Sequence, residues 1–211
     1  MKKYPYILFD LDGTLIDTNE LILTSFMYAL DQFHPGKFSR QQVQDMMGGP
    51  LYDMMKKFDS ERADELVDIY REHNKEHHDQ LVKAFPYVND VLKSLHDNGY
   101  KMALVTTKIS SAAHRGLQLF GLDEYIKTTV CLDDTDKHKP DPEPLLLAME
   151  KIGAEPSKTI MVGDNPVDIL GGKNAGVASC AVAWSLRGAE YLKKYEPDYI
   201  LEDMRDLLKI V

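Results

Sequence analysis

The stretch Ile7-Leu8-Phe9-Asp10-Leu11-Asp12-Gly13-Thr14 joins an apolar run, with the length of a buried strand, to two carboxylates, a glycine and a hydroxyl. Burying a carboxylate costs free energy unless it is paired or bound to a metal, so acids at the end of a core strand do not stabilise a fold. They make chemical sense if the strand carries Asp10 and Asp12 into a cleft. There one carboxylate can attack an electrophile while the other moves a proton.

Composition excludes several classes of protein. The 211 residues suffice for one large domain, or for a core domain with a smaller inserted one. A formal net charge of −9 argues against nucleic acid and anionic membranes as partners. No apolar run approaches the roughly 20 residues of a membrane span. Two cysteines favour a reducing cytoplasm over a disulfide scaffold. Because residues 1–6 lead directly into the motif strand, we expect no cleavable signal peptide.

From about residue 84 to the C-terminus, short apolar runs alternate with helix-like segments. The apolar runs predict strands over 102–105, 128–132, 159–162 and 178–183. The segments between and around them predict helices over 88–98, 110–120, 142–152 and 167–174. This alternation is typical of the α/β class, with a Rossmann-like parallel sheet that carries helices on both faces.

Between residues 17 and 83 the pattern changes to helical spacing, and no segment there predicts a strand. The apolar spacing predicts helices over 20–31, 41–46, 51–58 and 61–81. We therefore predict a helical domain of residues 17–83, inserted into an α/β core made of residues 1–16 and 84–211.

Polar clusters directly follow four of the predicted strands. After the Asp10 motif come Thr106-Thr107-Lys108, Lys139-Pro140, and Gly163-Asp164-Asn165 with Asp168. Ligands of an open parallel sheet bind beyond the carboxyl ends of its strands, so these clusters are expected to meet in one crevice. Taken singly, each also fits a turn, a helix cap or a solvated loop. Their shared position after strands favours a common site.

In this order, the Asp10–Thr14 motif, Thr106, Lys139-Pro140 and Gly163-Asp164 with Asp168 resemble the four motifs of the haloacid dehalogenase-like phosphohydrolases. The resemblance covers essentially the whole chain, and the helical insert looks like the small cap domain of that family. Further segments, Leu15–Leu21 and Lys139–Leu145 among them, resemble the bacterial inorganic pyrophosphatases within it.

The resemblance implies a role for each motif. Asp10 would be the nucleophile that forms an aspartyl-phosphate, and Asp12 would be the general acid and then the general base. Thr106 and Lys139 would hold the oxygens of the transferring phosphoryl group.

The resemblance also implies Mg²⁺ as cofactor, since oxygen ligands suit this ion. Its ligands would be Asp10, the backbone carbonyl of Asp12, Asp164, and Asp168 either directly or through a water.

Four further residues are candidates for contact with the substrate. Thr107 and Lys108 follow a core strand, and Gly48 and Gly49 lie in the helical insert, where glycine allows a close approach of the backbone.

By the resemblance, the reaction would be hydrolysis of pyrophosphate made by phosphorolysis of seryl-phosphorylated HPr. The alternative is a phosphatase for phosphoglycolate or another small phosphomonoester. A phospho-acceptor module like a response-regulator receiver has no use for such a helical insert, and a non-catalytic scaffold would not need every motif position. We expect a small anionic phosphate substrate, no nucleic acid or membrane partner, and a monomer or weak homodimer in the cytoplasm.

Overall fold

A computed structural model describes residues 2–211, which form two compact units. One unit contains the described residues up to Ile16 together with Ala84–Val211, and we call it the core unit. The other is Asp17–Lys83, the helical unit. The chain passes between the units twice, and the short strands at these two points pair with each other.

The strands are β1 (Tyr6–Phe9), β2 (Ile16–Asp17), β3 (Lys83–Ala84), β4 (Lys101–Val105), β5 (Thr128–Val130), β6 (Thr159–Gly163), β7 (Ala178–Val182) and β8 (Tyr199–Leu201). The helices are α1 (Asn19–Asp31), α2 (Arg40–Met46), α3 (Leu51–Phe58), α4 (Ala63–Leu81), α5 (Val88–Asp97), α6 (Ser110–Leu119), α7 (Glu143–Ile152), α8 (Pro166–Asn174), α9 (Ala189–Leu192) and α10 (Leu207–Ile210). Across residues 2–211, no helix combines the length and apolar character that crossing a bilayer requires.

Six strands of the core unit form one parallel sheet in the order β5-β4-β1-β6-β7-β8, which confirms the predicted α/β class. The motif strand β1 lies near the centre, where Phe9 is in register with Leu104 of β4 and Val162 of β6. Because these three strands are parallel neighbours, the residues that follow them emerge side by side at one edge of the sheet.

The central strand is apolar throughout because both faces of the sheet are covered. Ile7, Leu8 and Phe9 have no exposed surface. Leu8 packs in a cluster with Met161 of β6 and Leu145 of α7. Truncating such a leucine to alanine typically costs about 2–5 kcal/mol, so this packing fixes the strand ends that carry the polar residues.

The helical unit has its own apolar core. Phe26 of α1, Met55 of α3 and Leu66 of α4 are almost fully buried in it, and Phe26 meets Tyr70 edge to face at 4.9 Å. Helix α2 begins with a capping box, in which Ser39 and Gln42 satisfy each other's backbone N–H groups.

Several element bounds differ from the sequence prediction for identifiable reasons. The predicted strand 128–132 ends at Val130, because the Asp134 carboxylate accepts the Cys131 N–H at 2.7 Å and draws the chain into a 3₁₀ turn. Helix α4 begins at Ala63, two residues late, because Asp59 accepts the N–H groups of residues 61 and 62 ahead of it.

Some short elements were not predicted at all. The edge strand β8 has only three residues, two of them half-buried, and the helices α9 and α10 have one turn each. The prediction of no strand between residues 17 and 83 was wrong at both ends. Asp17 and Lys83 belong to the two-residue strands β2 and β3.

Candidate active site

The carboxyl ends of β1, β4 and β6 bring the polar clusters of the core unit together. The Asp10 N–H donates to the Val162 carbonyl at 2.9 Å, so the chain leaves β1 alongside β6. The Thr106 N–H donates to the Val130 carbonyl at 3.0 Å in the same way. The backbone of the first residue after each strand is therefore held by a hydrogen bond to the neighbouring strand, which fixes the position of its Cα atom.

Lys139 lies among the acids with its ammonium fully engaged. Its Nζ donates to Asp10 Oδ1 at 2.8 Å, to Asp168 Oδ1 at 2.6 Å and to the Val105 carbonyl at 2.7 Å. The side chains of Lys139 and Asp168 are each only 2% exposed. A lysine ammonium has three donors, so these bonds use all of them. We call Asp10, Lys139, Asp164 and Asp168 the acid–lysine cluster.

Negative charge exceeds positive charge in the acid–lysine cluster. Burial raises the pKa of Asp10 to about 7, although Lys139 acts in the opposite direction. Burial and repulsion from Asp10 and Asp168 raise the pKa of Asp164 well above its usual range. Burial disfavours the charged form of Lys139, but its two acidic partners outweigh burial and raise its pKa. One cation therefore does not offset the three acids.

The glycines of the motifs allow these acids to lie close together. A Cβ on Gly13 would come within 2.4 Å of Asp164 Oδ2, and the φ of +83° at Gly13 also favours glycine. A Cβ on Gly163 would come within 2.3 Å of the Asp168 side chain. No larger residue fits at either position without displacing a carboxylate.

Asp12 and Lys108 form a second charged group, which is more exposed than the acid–lysine cluster. Lys108 Nζ donates to Asp12 Oδ1 at 2.7 Å, and the two side chains are 12% and 20% exposed. We call them the Asp12–Lys108 pair. Nothing in the spacing of the two residues along the chain predicts this contact.

A small cleft opens beside Lys139. It is shallow, and the residues that line it are Thr106, Thr107, Thr135, His138, Lys139 and Pro144. Thr106 is buried and its Oγ1 accepts the Lys108 N–H at 3.2 Å, which leaves the hydroxyl hydrogen free to donate. Thr135 and His138 were not among the sequence candidates.

A family model for haloacid dehalogenase-like hydrolases matches residues 7–182, a span that includes every one of these polar clusters. The chain belongs to the haloacid dehalogenase-like hydrolases. It is 51% identical over 205 residues to the pyrophosphatase PpaX of Halalkalibacterium halodurans, covering 97% of this chain and 95% of that protein.

Solved structures of haloacid dehalogenase-like hydrolases share the fold. The chain is 25% identical to such a hydrolase from Bacteroides fragilis, with a TM-score of 0.90, covering 97% of this chain and 100% of the other. It is also 25% identical to a predicted phosphoglycolate phosphatase from Haemophilus somnus, with a TM-score of 0.86, covering 100% of this chain and 99% of the other.

The acids of this haloacid dehalogenase-like site fit a divalent cation with hard oxygen ligands. Asp10, Asp164 and Asp168 each offer a carboxylate oxygen, and these atoms lie within 4.8 Å of one another. Burial and repulsion from neighbouring acids raise the pKa values of Asp10 and Asp164, and a bound cation would favour their charged forms. Asp168 already accepts from Lys139 with Oδ1 and from the Asn165 N–H with Oδ2, so Asp10 and Asp164 are the better ligands.

Hydrogen bonds from Trp184, Ser185 and Thr14 support the motif loop and Asp164, and the sequence did not predict them. The Trp184 indole N–H donates to the Thr14 carbonyl at 3.3 Å. The Ser185 hydroxyl donates to the Asp164 carbonyl at 2.6 Å, and the Thr14 hydroxyl donates to Asp164 Oδ1 at 3.4 Å. The only available signal was a tryptophan and a serine directly after an apolar run.

Two predicted substrate residues lie outside the core unit. Gly48 and Gly49 belong to the helical unit, in the segment between α2 and α3. Gly48 has a φ of +122°, and a Cβ on Gly49 would meet no heavy atom within 4 Å. Their contact with substrate stays a prediction, as does a metal bond from the Asp12 carbonyl.

Proposed function

We propose that this hydrolase is a Mg²⁺-dependent pyrophosphatase that passes through an aspartyl-phosphate on Asp10. The observation that carries the mechanism is the way Lys139 holds Asp10. Oδ1 accepts from Lys139, and Oδ2 has no hydrogen-bond partner among residues 2–211. One oxygen is thus anchored while the other is available for attack. The choice of pyrophosphate is supported by the 51% identity to a pyrophosphatase.

In the first step, Asp10 Oδ2 attacks phosphorus and an oxygen–phosphorus bond forms. The bond from phosphorus to the bridging oxygen breaks, and its electron pair stays on the departing phosphate. Thr106, with a hydroxyl hydrogen free, is placed to donate to an oxygen of the transferring group. Asp12 is the acid that can give the departing phosphate a proton.

In the second step, water attacks the same phosphorus and frees the Asp10 carboxylate. Asp12 accepts the proton of that water, which restores the starting state. Its Oδ1 is occupied by Lys108, so Oδ2 is the oxygen that handles protons in both steps. The sum is one pyrophosphate and one water converted into two phosphates.

Mg²⁺, held by Asp10 and Asp164, would supply positive charge to the phosphate oxygens and to the surplus acids when bound. A site with three acids and one buried lysine would otherwise repel an anion. This also explains how a chain with a net charge of −9 can take an anionic substrate.

A second candidate is a phosphatase for phosphoglycolate, supported by the likeness to the Haemophilus somnus protein. The two reactions share their first electrophile and differ in the leaving group. Phosphate leaves as a stable anion, whereas glycolate leaves through an alkoxide oxygen that depends on a proton from Asp12.

A comparison of kcat/KM for pyrophosphate and phosphoglycolate, with Mg²⁺ or with excess chelator, tests the proposal. We expect pyrophosphate to be preferred by at least about 100-fold, and expect chelator to abolish turnover. Asp10→Asn, which keeps the side-chain volume and an acceptor for Lys139, is the inactive control. A preference for phosphoglycolate would replace the proposal with the second candidate, and turnover by Asp10→Asn would refute the mechanism.

Location and biological role are part of the same proposal. Cys131 and Cys180 are free thiols, which suits the reducing cytoplasm. We propose that the enzyme removes pyrophosphate made by phosphorolysis of seryl-phosphorylated HPr, and the similarity to pyrophosphatases supports the substrate in this role. A monomer or weak homodimer stays a prediction.

A further inference from the structure

Lys108 has a backbone held at both ends. Its N–H donates to Thr106 Oγ1 at 3.2 Å, and its carbonyl accepts the Leu132 N–H at 2.9 Å. These contacts tie it to the loops that follow β4 and β5. The backbone of Lys108 therefore has a defined position at the sheet edge, unlike that of a lysine on a solvated loop.

The ammonium of Lys108 has donors to spare. Asp12 is its one partner among the described residues, whereas Lys139 uses all three donors on protein oxygens. An incoming anion can bind Lys108 without breaking the contact with Asp12. Of the two lysines at the site, Lys108 is the one with free capacity for a ligand.

The position of Lys108 selects which part of the substrate it meets. In the proposed function, Asp12 exchanges a proton with the bridging oxygen. An atom that hydrogen-bonds to Asp12 Oδ2 lies within about 8 Å of Lys108 Nζ, since each carboxylate oxygen makes one hydrogen bond of roughly 3 Å and the two oxygens are about 2 Å apart. The oxygens of the departing group lie on the side of the bridging oxygen that faces away from Asp10, so they are the substrate atoms that Lys108 can reach. Lys139 contacts the nucleophile instead, on the side of the transferring group.

We propose that Lys108 binds the leaving phosphate and thereby selects pyrophosphate over phosphomonoesters. This inference rests on the proposed function. When the bond to the bridging oxygen breaks, the electron pair and the negative charge remain on a phosphate next to Nζ, and Lys108 stabilises them without giving up a proton. In phosphoglycolate a methylene group separates the bridging oxygen from the carboxylate, so the charge that develops on the bridging oxygen is not shared with the carboxylate and Lys108 stabilises it less.

The test measures kcat/KM of wild type, Lys108→Gln and Lys108→Arg on pyrophosphate, phosphoglycolate and phenyl phosphate, whose leaving group has no second anionic group. Lys108→Gln should lower the value for pyrophosphate by about 100-fold and for phenyl phosphate by less than about threefold. Lys108→Arg should recover most of the loss. Lys158→Gln, which removes an exposed lysine ahead of β6, is the matched control and should match wild type.

Equal losses on pyrophosphate and phenyl phosphate would overturn the inference, because Lys108 would then act only through Asp12. An equal loss on phosphoglycolate would also overturn the inference, because Lys108 would then bind any anionic leaving group. No loss on pyrophosphate would show that Lys108 does not bind the substrate. Each of these results requires a wild type that hydrolyses pyrophosphate. A wild type without that activity would refute the proposed function and this inference together.

Discussion

Two lysines at the same edge of the sheet serve differently. The Lys139 side chain is 2% exposed, and its ammonium donates all three hydrogen bonds to Asp10, Asp168 and the Val105 carbonyl. Lys108 is 12% exposed and contacts Asp12 alone among the described residues. Lys139 therefore binds only protein oxygens, whereas Lys108 retains unused donors.

In the proposed mechanism, this difference divides the reaction between the two groups of residues. The acid–lysine cluster would position the nucleophile and bind the metal ion, and the Asp12–Lys108 pair would contact the departing group and transfer protons. A substitution in the acid–lysine cluster should therefore lower the free energy of unfolding and the turnover of every substrate. A substitution in the Asp12–Lys108 pair should lower the turnover of some substrates more than that of others.

Lys139→Met should give the largest effect, because it leaves the buried acids without their cation. Breaking a buried ion pair from one side typically costs about 3–5 kcal/mol, and we expect this loss in the free energy of unfolding at pH 8, measured with urea. Turnover should fall by at least about 10³-fold on all substrates. The matched change Lys108→Gln should cost about 1 kcal/mol, since that pair is more exposed.

Equal destabilisation by the two lysine variants would contradict the division between the cluster and the pair. So would a Lys139→Met protein that is as stable as wild type at pH 8. In either case the acids would not depend on Lys139 for compensation.

The sequence predicted the frame of the site better than its contacts. The strands β1, β4, β6 and β7 are apolar on both faces, and so their runs stand out along the chain. The edge strand β8 has an apolar run of only three residues, between Asp198 and Glu202, whereas the run that predicts β5 continues through Cys131 and Leu132. An apolar run as short as that of β8 does not distinguish a strand from other short apolar segments.

The contacts within the site depend on how separate segments come together. Lys108 and Asp12 are 96 positions apart, and Trp184 reaches Thr14 across 170 positions. Nothing local distinguishes a lysine that has used all of its donors from one that has not. The spacing of the motifs therefore predicts which residues lie at the same edge of the sheet. Which of them contact each other is seen only in the structure.

Magnesium should stabilise the protein more at high pH than at low pH. The pKa of Asp10 is about 7 in the metal-free protein, against a usual 3.8, and that of Asp164 is also raised. The folded state therefore holds protons more tightly than the unfolded chain. This contribution to stability is complete below about pH 4 and is lost as the pH rises through about 7. Above that pH the ionised acids are free for Mg²⁺.

Calorimetry at pH 5.5 and pH 8, with and without Mg²⁺, checks this expectation. At about 100 times the dissociation constant, Mg²⁺ should add roughly 2.7 kcal/mol at pH 8 and clearly less at pH 5.5. Asp164→Asn should reduce the Mg²⁺ effect at both values. A stabilisation that does not change with pH would contradict the account of the acid–lysine cluster.

Gly13→Ala should damage the cluster through a single methyl group. The new Cβ would clash with Asp164 Oδ2, and the positive φ adds about 1 kcal/mol of backbone strain. We expect a stability loss of about 2 kcal/mol and a drop in kcat of at least about tenfold. Gly121→Ala is the control, because Gly121 has a φ of +67° and no heavy atom near a Cβ. A control that loses as much kcat would show that strain alone is responsible.

Trp184→Phe should have the smallest effect. It removes the donor to the Thr14 carbonyl and keeps an aromatic ring against Phe85, which lies 5.9 Å away between ring centroids. We expect a loss of about 1 kcal/mol in unfolding free energy and a fall of a few-fold in kcat. Thermal melts and steady-state kinetics measure both. An unchanged kcat would mean that the indole N–H has no part in holding the motif loop.

The central claim is that Asp10 becomes phosphorylated and that Asp12 is needed to remove the phosphate. Acid-quenched reactions of wild type and Asp12→Asn with pyrophosphate and Mg²⁺, analysed by peptide mass spectrometry, test it directly. Phosphate can leave without an acid, whereas the attacking water needs a base. Asp12→Asn should therefore release about one equivalent of phosphate in a burst and accumulate phosphorylated Asp10. Turnover of pyrophosphate with no phosphorylated Asp10 in either protein would contradict the account.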